Sequence, residues 1–253
     1  MQEAKEYCGL FGIINHSQAS WLTYLGLFAQ QHRGQEACGI AVAHQGKMTI
    51  HKGTGLVNDV FDGGVIARLP GELAVGHVRY STTGSSVLKN AQPLLMEYAK
   101  GALCIAHNGN LVNSLELRKT LQQQGAIFQT TTDSELLVHL MARSRACGMI
   151  DSLVEGLQKL RGSYAFVISD GSRLVGVRDP LGFRPLVIGK LGKAYCLASE
   201  TCAFDLVGAS VVREVQPGEV VIITAEGIRS VKPKGLQSPK GYAHCVFEHV
   251  YFS

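Results

Sequence analysis

The chain has 253 residues, of which 46% are hydrophobic and 17% charged, with a formal net charge of +4. That is enough chain for one substantial core, and the scattered charges include no Lys/Arg run of the kind that marks a nucleic-acid footprint. No apolar stretch reaches membrane-span length, the opening MQEAKEY lacks the apolar stretch of a secretory signal, and seven cysteines without paired spacing point to a reduced, cytoplasmic setting rather than a disulfide framework.

Cys8-Gly9-Leu10-Phe11-Gly12-Ile13-Ile14 reads as a Gly-spaced strand headed by a thiol. Residues 19–32 place Trp21, Leu22, Leu25 and Phe28 at helical spacing. Strands are expected at 39–44 and 47–52 around the turn Gln45-Gly46, then at 73–79 and 102–107. Helices follow at 113–124 behind Asn113 as N-cap, at 133–146 starting near Asp133, and at 151–160. Strands return at 164–169 and 173–178 around Asp170-Gly171-Ser172, at 186–190 and 194–198 around Leu191-Gly192, and at 219–224 before Glu226-Gly227. Tight hairpin turns predict antiparallel pairing. Helices grouped between early and late strands predict an α+β fold of antiparallel sheets covered by helices, not a doubly wound parallel sheet. The stretch 232–241 reads as a polar, Pro/Gly-rich linker, and the apolar, aromatic residues after it as the start of a further domain.

Five segments carry residues suited to chemistry. A cysteine that becomes residue one holds a thiol, with a reference pKa of about 8.5, beside an amine at about 8, so the amine can take the thiol proton near neutral pH. Cys8 acquires that amine only if Met1 to Tyr7 are removed. Otherwise it is a packed strand cysteine. Arg79, at a strand end before Tyr80-Ser81-Thr82-Thr83-Gly84, suits a bidentate grip on a carboxylate, or is a surface strand-end arginine. Asn108-Gly109 offers a side-chain amide beside a glycine N–H, the two-donor arrangement an oxyanion needs, or is an Asn-Gly turn. Asp133 can hold an ammonium, while Thr132-x-x-Glu135 matches a helix capping box. Arg33, in Gln31-His32-Arg33-Gly34-Gln35, sits well at a helix C-terminus by its charge alone. His77 and His107 each follow an apolar run and read as packed strand-end histidines. Gly53-x-Gly55-x-x-Asn58 lacks the third glycine of a dinucleotide fingerprint, and Cys196 and Cys202 lack zinc-pair spacing.

In order along the chain, Cys8-Gly-Leu-Phe-Gly, Gln31-His-Arg-Gly-Gln, His77-Val-Arg-Tyr, His107-Asn-Gly-Asn and Thr132-Asp-Ser-Glu resemble the class II glutamine amidotransferases. These are N-terminal-nucleophile hydrolases with a four-layer αββα sandwich of two antiparallel sheets. Further stretches make residues 8–253 most similar to the glutaminase half of the amidophosphoribosyltransferases. Among them are Leu56-Val-Asn-Asp-Val-Phe, Ser81-Thr-Thr-Gly-Ser, Ala91-Gln-Pro, Arg178-Asp-Pro-Leu-Gly-Phe-Arg-Pro-Leu, Ala198-Ser-Glu and Phe247-Glu-His-Val-Tyr-Phe. The resemblance implies a pro-segment at 1–7, an amidotransferase domain at 8–231, and at 232–253 a linker with the start of a truncated phosphoribosyltransferase domain. It implies that glutamine is hydrolysed to glutamate and ammonia, with Cys8 as nucleophile, Asn108 and Gly109 holding the oxyanion, Arg79 binding the substrate carboxylate, Asp133 its ammonium, and Arg33 shaping the pocket. It implies no cofactor for that half-reaction. Magnesium, and an iron–sulfur cluster ligated in some relatives at the position of Cys245, would come only with the transferase domain, as would a homo-oligomer. Two other readings are a folded but unprocessed, non-catalytic module, and a Cys–His hydrolase using His77 or His107 as base.

Overall fold

The computed structural model describes residues 8–80, 88–237, 241–243, 245, 246 and 248. The expected pro-segment, the Ser81-Thr-Thr-Gly-Ser stretch, Phe247 and the last five residues lie outside the described residues. In chain order the strands are β1 (Gly9–Ile14), β2 (Ala37–His44), β3 (Lys47–Thr54), β4 (Leu73–Arg79), β5 (Leu94–Tyr98), β6 (Gly101–Leu111) and β7 (Gly162–Ser169). They continue with β8 (Leu174–Arg178), β9 (Val187–Leu191), β10 (Ala194–Ala198), β11 (Ser210–Glu214), β12 (Val220–Thr224) and β13 (Gly227–Val231). The helices are α1 (Ala19–Ala29), α2 (Val57–Val60), α3 (Gly63–Ala67), α4 (Ser114–Gln123), α5 (Glu135–Arg143), α6 (Met149–Leu157) and α7 (Cys202–Val207).

The described strands form two sheets, ordered β11-β9-β10-β1-β4-β2-β3 and β13-β12-β8-β7-β6-β5. Every pairing within them is antiparallel. Strand alternation sends successive residues to opposite faces, and here both faces are covered. Phe11 and Ile13 of β1 pack with Leu22 and Leu27 of α1 and Phe204 of α7 outside the first sheet. Leu103 and Ile105 of β6 pack with Leu136, Leu137 and Leu153 of α5 and α6 outside the second. The complementary set, among them Leu10, Ala41, Val75, Cys104, Ala106, Val167 and Leu197, fills the space between the sheets. The order of layers is therefore helix, sheet, sheet, helix, as the resemblance implied. Gly12 sets the closeness of the two sheets: a Cβ there would stand 2.9 Å from methyl carbons of both Leu174 and Val167.

All ten strand runs and all four longer helices expected from the sequence are present, with ends shifted by a few residues. The chain also forms β5, β11, β13 and the short helices α2, α3 and α7, which carry little pattern. β11, for example, is a sheet edge exposed or half-exposed on both faces, so no alternation marks it. Two expected caps are corrected. Asn113 precedes α4, but its side chain bonds the Lys159 carbonyl and the Arg161 N–H, tying the helix start to the turn before β7. The Thr132–Glu135 capping box does not form, because the Glu135 carboxylate turns back to accept the N–H groups of Gln129 and Thr130. Leu236, within the stretch read as linker, is buried in the core outside the second sheet.

Candidate active site

The β1–β4 register sets Gly9 opposite Val78, so Cys8, one residue earlier, stands beside Arg79. Leu10 and Ile14 of β1, and Leu73 and Val75 of β4, face the inter-sheet space. Two-residue periodicity therefore puts Cys8, His77 and Arg79 on that same face. On the second sheet Cys104 and Ala106 face inward, and Asn108 follows them. A hydrogen bond joins the two sheets here: His77 Nε2 donates to the His107 carbonyl at 3.1 Å. Cys8, Arg79 and Asn108, all buried, thus gather at one end of the sandwich.

The backbone around Cys8 is tightly held. Arg33 Nε donates to the Cys8 carbonyl at 3.1 Å, and the thiol lies 3.6 Å from the Tyr80 carbonyl oxygen. Leu10 exchanges two bonds with Ser199, through the Leu10 N–H to Oγ and the Ser199 N–H to the Leu10 carbonyl, each 3.1 Å. The rest of the Arg33 guanidinium meets Glu200 through Nη1 and Glu248 through Nη2, the latter at 2.8 and 2.9 Å to its two oxygens. Burial opposes the Arg33 charge, but Glu248 and Glu200 outweigh it and raise its pKa further. Arg33 is thus a buried structural cation that fixes Cys8.

Strand β6 overruns its neighbour β5. Their ladder ends at Leu94–Ile105, while β6 continues to Leu111 paired only with β7. Along this free edge alternate residues turn their N–H groups away from β7. The His107 N–H donates to Gln92 Oε1 at 2.7 Å, and the Leu111 N–H to Asp133 Oδ2 at 2.8 Å. Between them lies Gly109, whose N–H the same alternation turns to this edge. Its φ is +146°, and a Cβ would stand 2.1 Å from the Ser163 carbonyl oxygen, so only glycine fits. Beside it the Asn108 side-chain nitrogen is buried and has no hydrogen-bond partner among the described residues. An unmet buried donor costs about 1–3 kcal/mol unless something arrives to accept from it.

Asp133 lies just before α5. Burial pushes its carboxyl up, but His107 and the Leu111 N–H outweigh this and hold it below the ordinary carboxylate range. His107 stacks on Phe166 with ring centroids 4.4 Å apart and places Nδ1 3.0 Å from Ser134 Oγ. Burial drives the His77 pKa down to about 3. A carbonyl only accepts, so the proton His77 keeps is on Nε2. A base that weak, with its proton so engaged, is unsuited to activating a thiol. Both histidines are packed, as expected, His77 near the end of β4 but His107 in the middle of β6.

The structure brings together Cys8, Arg79, Asn108, Gly109, Asp133 and Arg33. Cys245 is buried, and among the described residues no three His, Cys, Asp or Glu side chains gather to hold a metal. Sequence reasoning assigned no role to Gln92, Ser134, Glu200 or Glu248, although Ala91-Gln-Pro and Ala198-Ser-Glu stood among the quoted stretches. Their partners lie 15 to 215 residues away, so no local spacing could reveal them.

Comparison with known proteins agrees with this geometry. Residues 77–205 match the family model of the glutamine amidotransferase domain. The chain is 46% identical over 249 residues to an amidophosphoribosyltransferase of Bacillus subtilis, covering 98% of this chain and 52% of that protein. It is 47% identical to a chloroplastic amidophosphoribosyltransferase of Arabidopsis thaliana, covering all of this chain and 45% of that one. The chain thus spans about half the length of these relatives. Its fold superposes with a TM-score of 0.90, at 45% identity over 97% of this chain and 53% of the other, on the glutamine phosphoribosylpyrophosphate amidotransferase of B. subtilis. With fold, residue order and family model in agreement, this chain belongs to the glutamine amidotransferase domain family.

Proposed function

We propose that this chain hydrolyses the side-chain amide of glutamine, and that it is the ammonia-supplying portion of an amidophosphoribosyltransferase. The observation that carries the reading is the unmet Asn108 amide beside the Gly109 N–H, at the sandwich end that holds Cys8. Two buried donors side by side are what a tetrahedral oxyanion requires.

Removal of residues 1–7 gives Cys8 a free amine, which takes the thiol proton. The thiolate attacks the amide carbon of glutamine, and the carbonyl oxygen becomes an oxyanion between Asn108 Nδ2 and the Gly109 N–H. The Cys8 ammonium returns the proton to the leaving nitrogen, the C–N bond breaks, and ammonia departs from a glutamyl thioester. Water, deprotonated by the same amine, attacks the thioester and releases glutamate. Arg79 holds the substrate carboxylate and Asp133, kept ionised, its α-ammonium. In a protein of its relatives' full length the ammonia would pass to a phosphoribosyltransferase domain to form 5-phosphoribosylamine.

The test is glutamate release by the chain beginning at Cys8. Cys8→Ala is expected to abolish it with the fold retained, and Asn108→Ala to lower kcat by about 100- to 1,000-fold. Normal turnover by Cys8→Ala, or by protein that still begins at Met1, would overturn the mechanism. A silent but folded chain with Cys8 exposed would instead favour the non-catalytic module.

A further inference from the structure

Resting on the glutaminase reading, we infer that Gln92 is a positioning residue for the oxyanion donors, acting as a clasp on the free edge of β6. The β5–β6 register, continued past its last bonded pair, sets residue 92 opposite residue 107. Pro93 follows at that point, and the Gln92 side chain takes over where the ladder stops. Its Oε1 accepts the His107 N–H at 2.7 Å, and its Nε2 donates to Ser134 Oγ at 3.1 Å. Ser134 Oγ in turn meets His107 Nδ1 at 3.0 Å. These bonds fix which end of the amide is oxygen.

The consequence falls on Asn108 and Gly109. The peptide before His107 is held through its N–H by Gln92. The peptide joining His107 to Asn108 is held through its carbonyl by His77. Both faces of His107 are thereby locked to side chains, and the orientation of the Asn108 amide follows from that of its own peptide. Without Gln92 the edge at 107 has a buried, unbonded N–H, and the strand is free to twist there to find another partner. Such a twist moves both oxyanion donors together, and misplacement of reacting groups by about 1 Å costs on the order of 100-fold in rate. Gln92 touches neither substrate nor nucleophile in this account, the Leu111 N–H still holds Asp133 and β4 still carries Arg79, so ground-state binding changes much less than the oxyanion donors.

The experiment compares the chain beginning at Cys8 with Gln92→Ala, Gln92→Glu and Ser134→Ala. Gln92→Ala is expected to lower kcat by about 10- to 100-fold with KM within twofold. It should also weaken inhibition by glutamate γ-semialdehyde, whose thiohemiacetal with Cys8 carries the oxyanion, by a similar factor. Inhibition by glutamate, which forms no such adduct, should not change. Gln92→Glu keeps the acceptor for the His107 N–H and should recover most of kcat, and Ser134→Ala, which leaves that bond in place, should lose less than fivefold. Unchanged kcat in Gln92→Ala, or equal weakening of the aldehyde and of glutamate, would overturn the inference. Should Gln92→Ala fail to fold, Gln92→Glu and Ser134→Ala decide: Ser134→Ala losing more than Gln92→Glu overturns it. Wild type is the internal reference, because a silent wild type refutes the glutaminase reading and not the clasp.

Discussion

Replacing Gly109 by alanine tests both the fold and the site at one atom. The new Cβ would meet the Ser163 carbonyl oxygen at 2.1 Å and the Tyr164 Cα at 2.8 Å, both on the backbone of β7, which cannot swing aside as a side chain can. At φ +146° an L-residue is also strained, by about 1–3 kcal/mol. Relief requires β6 and β7 to part by about 1 Å, which weakens the pairings of Asn108 with Ala165 and Asn110 with Ser163, at about 0.5–1.5 kcal/mol for each hydrogen bond lost. The expected loss is about 2–5 kcal/mol in urea unfolding, seen as a lower midpoint at unchanged m-value. Gly101→Ala is the control, because its φ is +113° but nothing stands within 4 Å of the added carbon, so only the backbone strain of about 1–3 kcal/mol remains. A Gly109→Ala variant as stable as Gly101→Ala would refute the packing argument. Full glutaminase activity in it would refute the placement of the oxyanion beside residue 109.

Glu248→Ala removes one of two carboxylates from a guanidinium whose side chain is 0% exposed. Breaking a buried pair costs about 3–5 kcal/mol, and because Glu200 remains, a loss of about 1–3 kcal/mol is expected, measurable as a shift in the urea midpoint. Glu219, 2% exposed at its side chain, bonds Arg213 and Ser230 and the Gln216 N–H. Burial pushes its carboxyl up, but these partners prevail and hold it below its ordinary value of 4.5. A depressed carboxylate adds stability above its unfolded pKa and loses it as pH falls through the folded one. Glu219→Gln should therefore flatten the stability curve below pH 4.5, as followed by unfolding across pH, and an unchanged acid limb would show that the pair contributes nothing there.

The layers of the fold were legible because each rests on a local signal. Hairpin turns such as Gln45-Gly46 and Leu191-Gly192 declare their strands, and runs such as Leu103–Ala106 declare burial on both faces. What stayed hidden was local structure set by distant partners. Asn113 and Glu135 stand where capping residues belong, yet the first finds the turn at 159–161 and the second the backbone at 129–130. Propensity fixes which residues occupy a helix start; tertiary contacts decide what their side chains bond.

The same division explains the candidate site. Cys8, Arg79, Asn108, Gly109 and Asp133 could be picked out as candidates by residue type, each with a structural alternative, and it was the resemblance that joined them into one site. The frame that aims them was not, because it exists only where β6 outruns β5. An exposed strand edge is usually a liability, with donors and acceptors awaiting any partner. Here alternate N–H groups at 107 and 111 are taken by Gln92 and Asp133, and the one between them is left beside an unmet asparagine amide. A glutamine whose partner is fifteen residues on and an aspartate twenty-two residues from its own thus turn a hazard into a two-donor notch. On the proposed reading the notch is selective because its neighbours at 107 and 111 are already satisfied: a ligand oxygen meets the Gly109 N–H in register with the Asn108 side-chain amide. On that reading, function follows from which hydrogen bonds the fold leaves for a ligand to make.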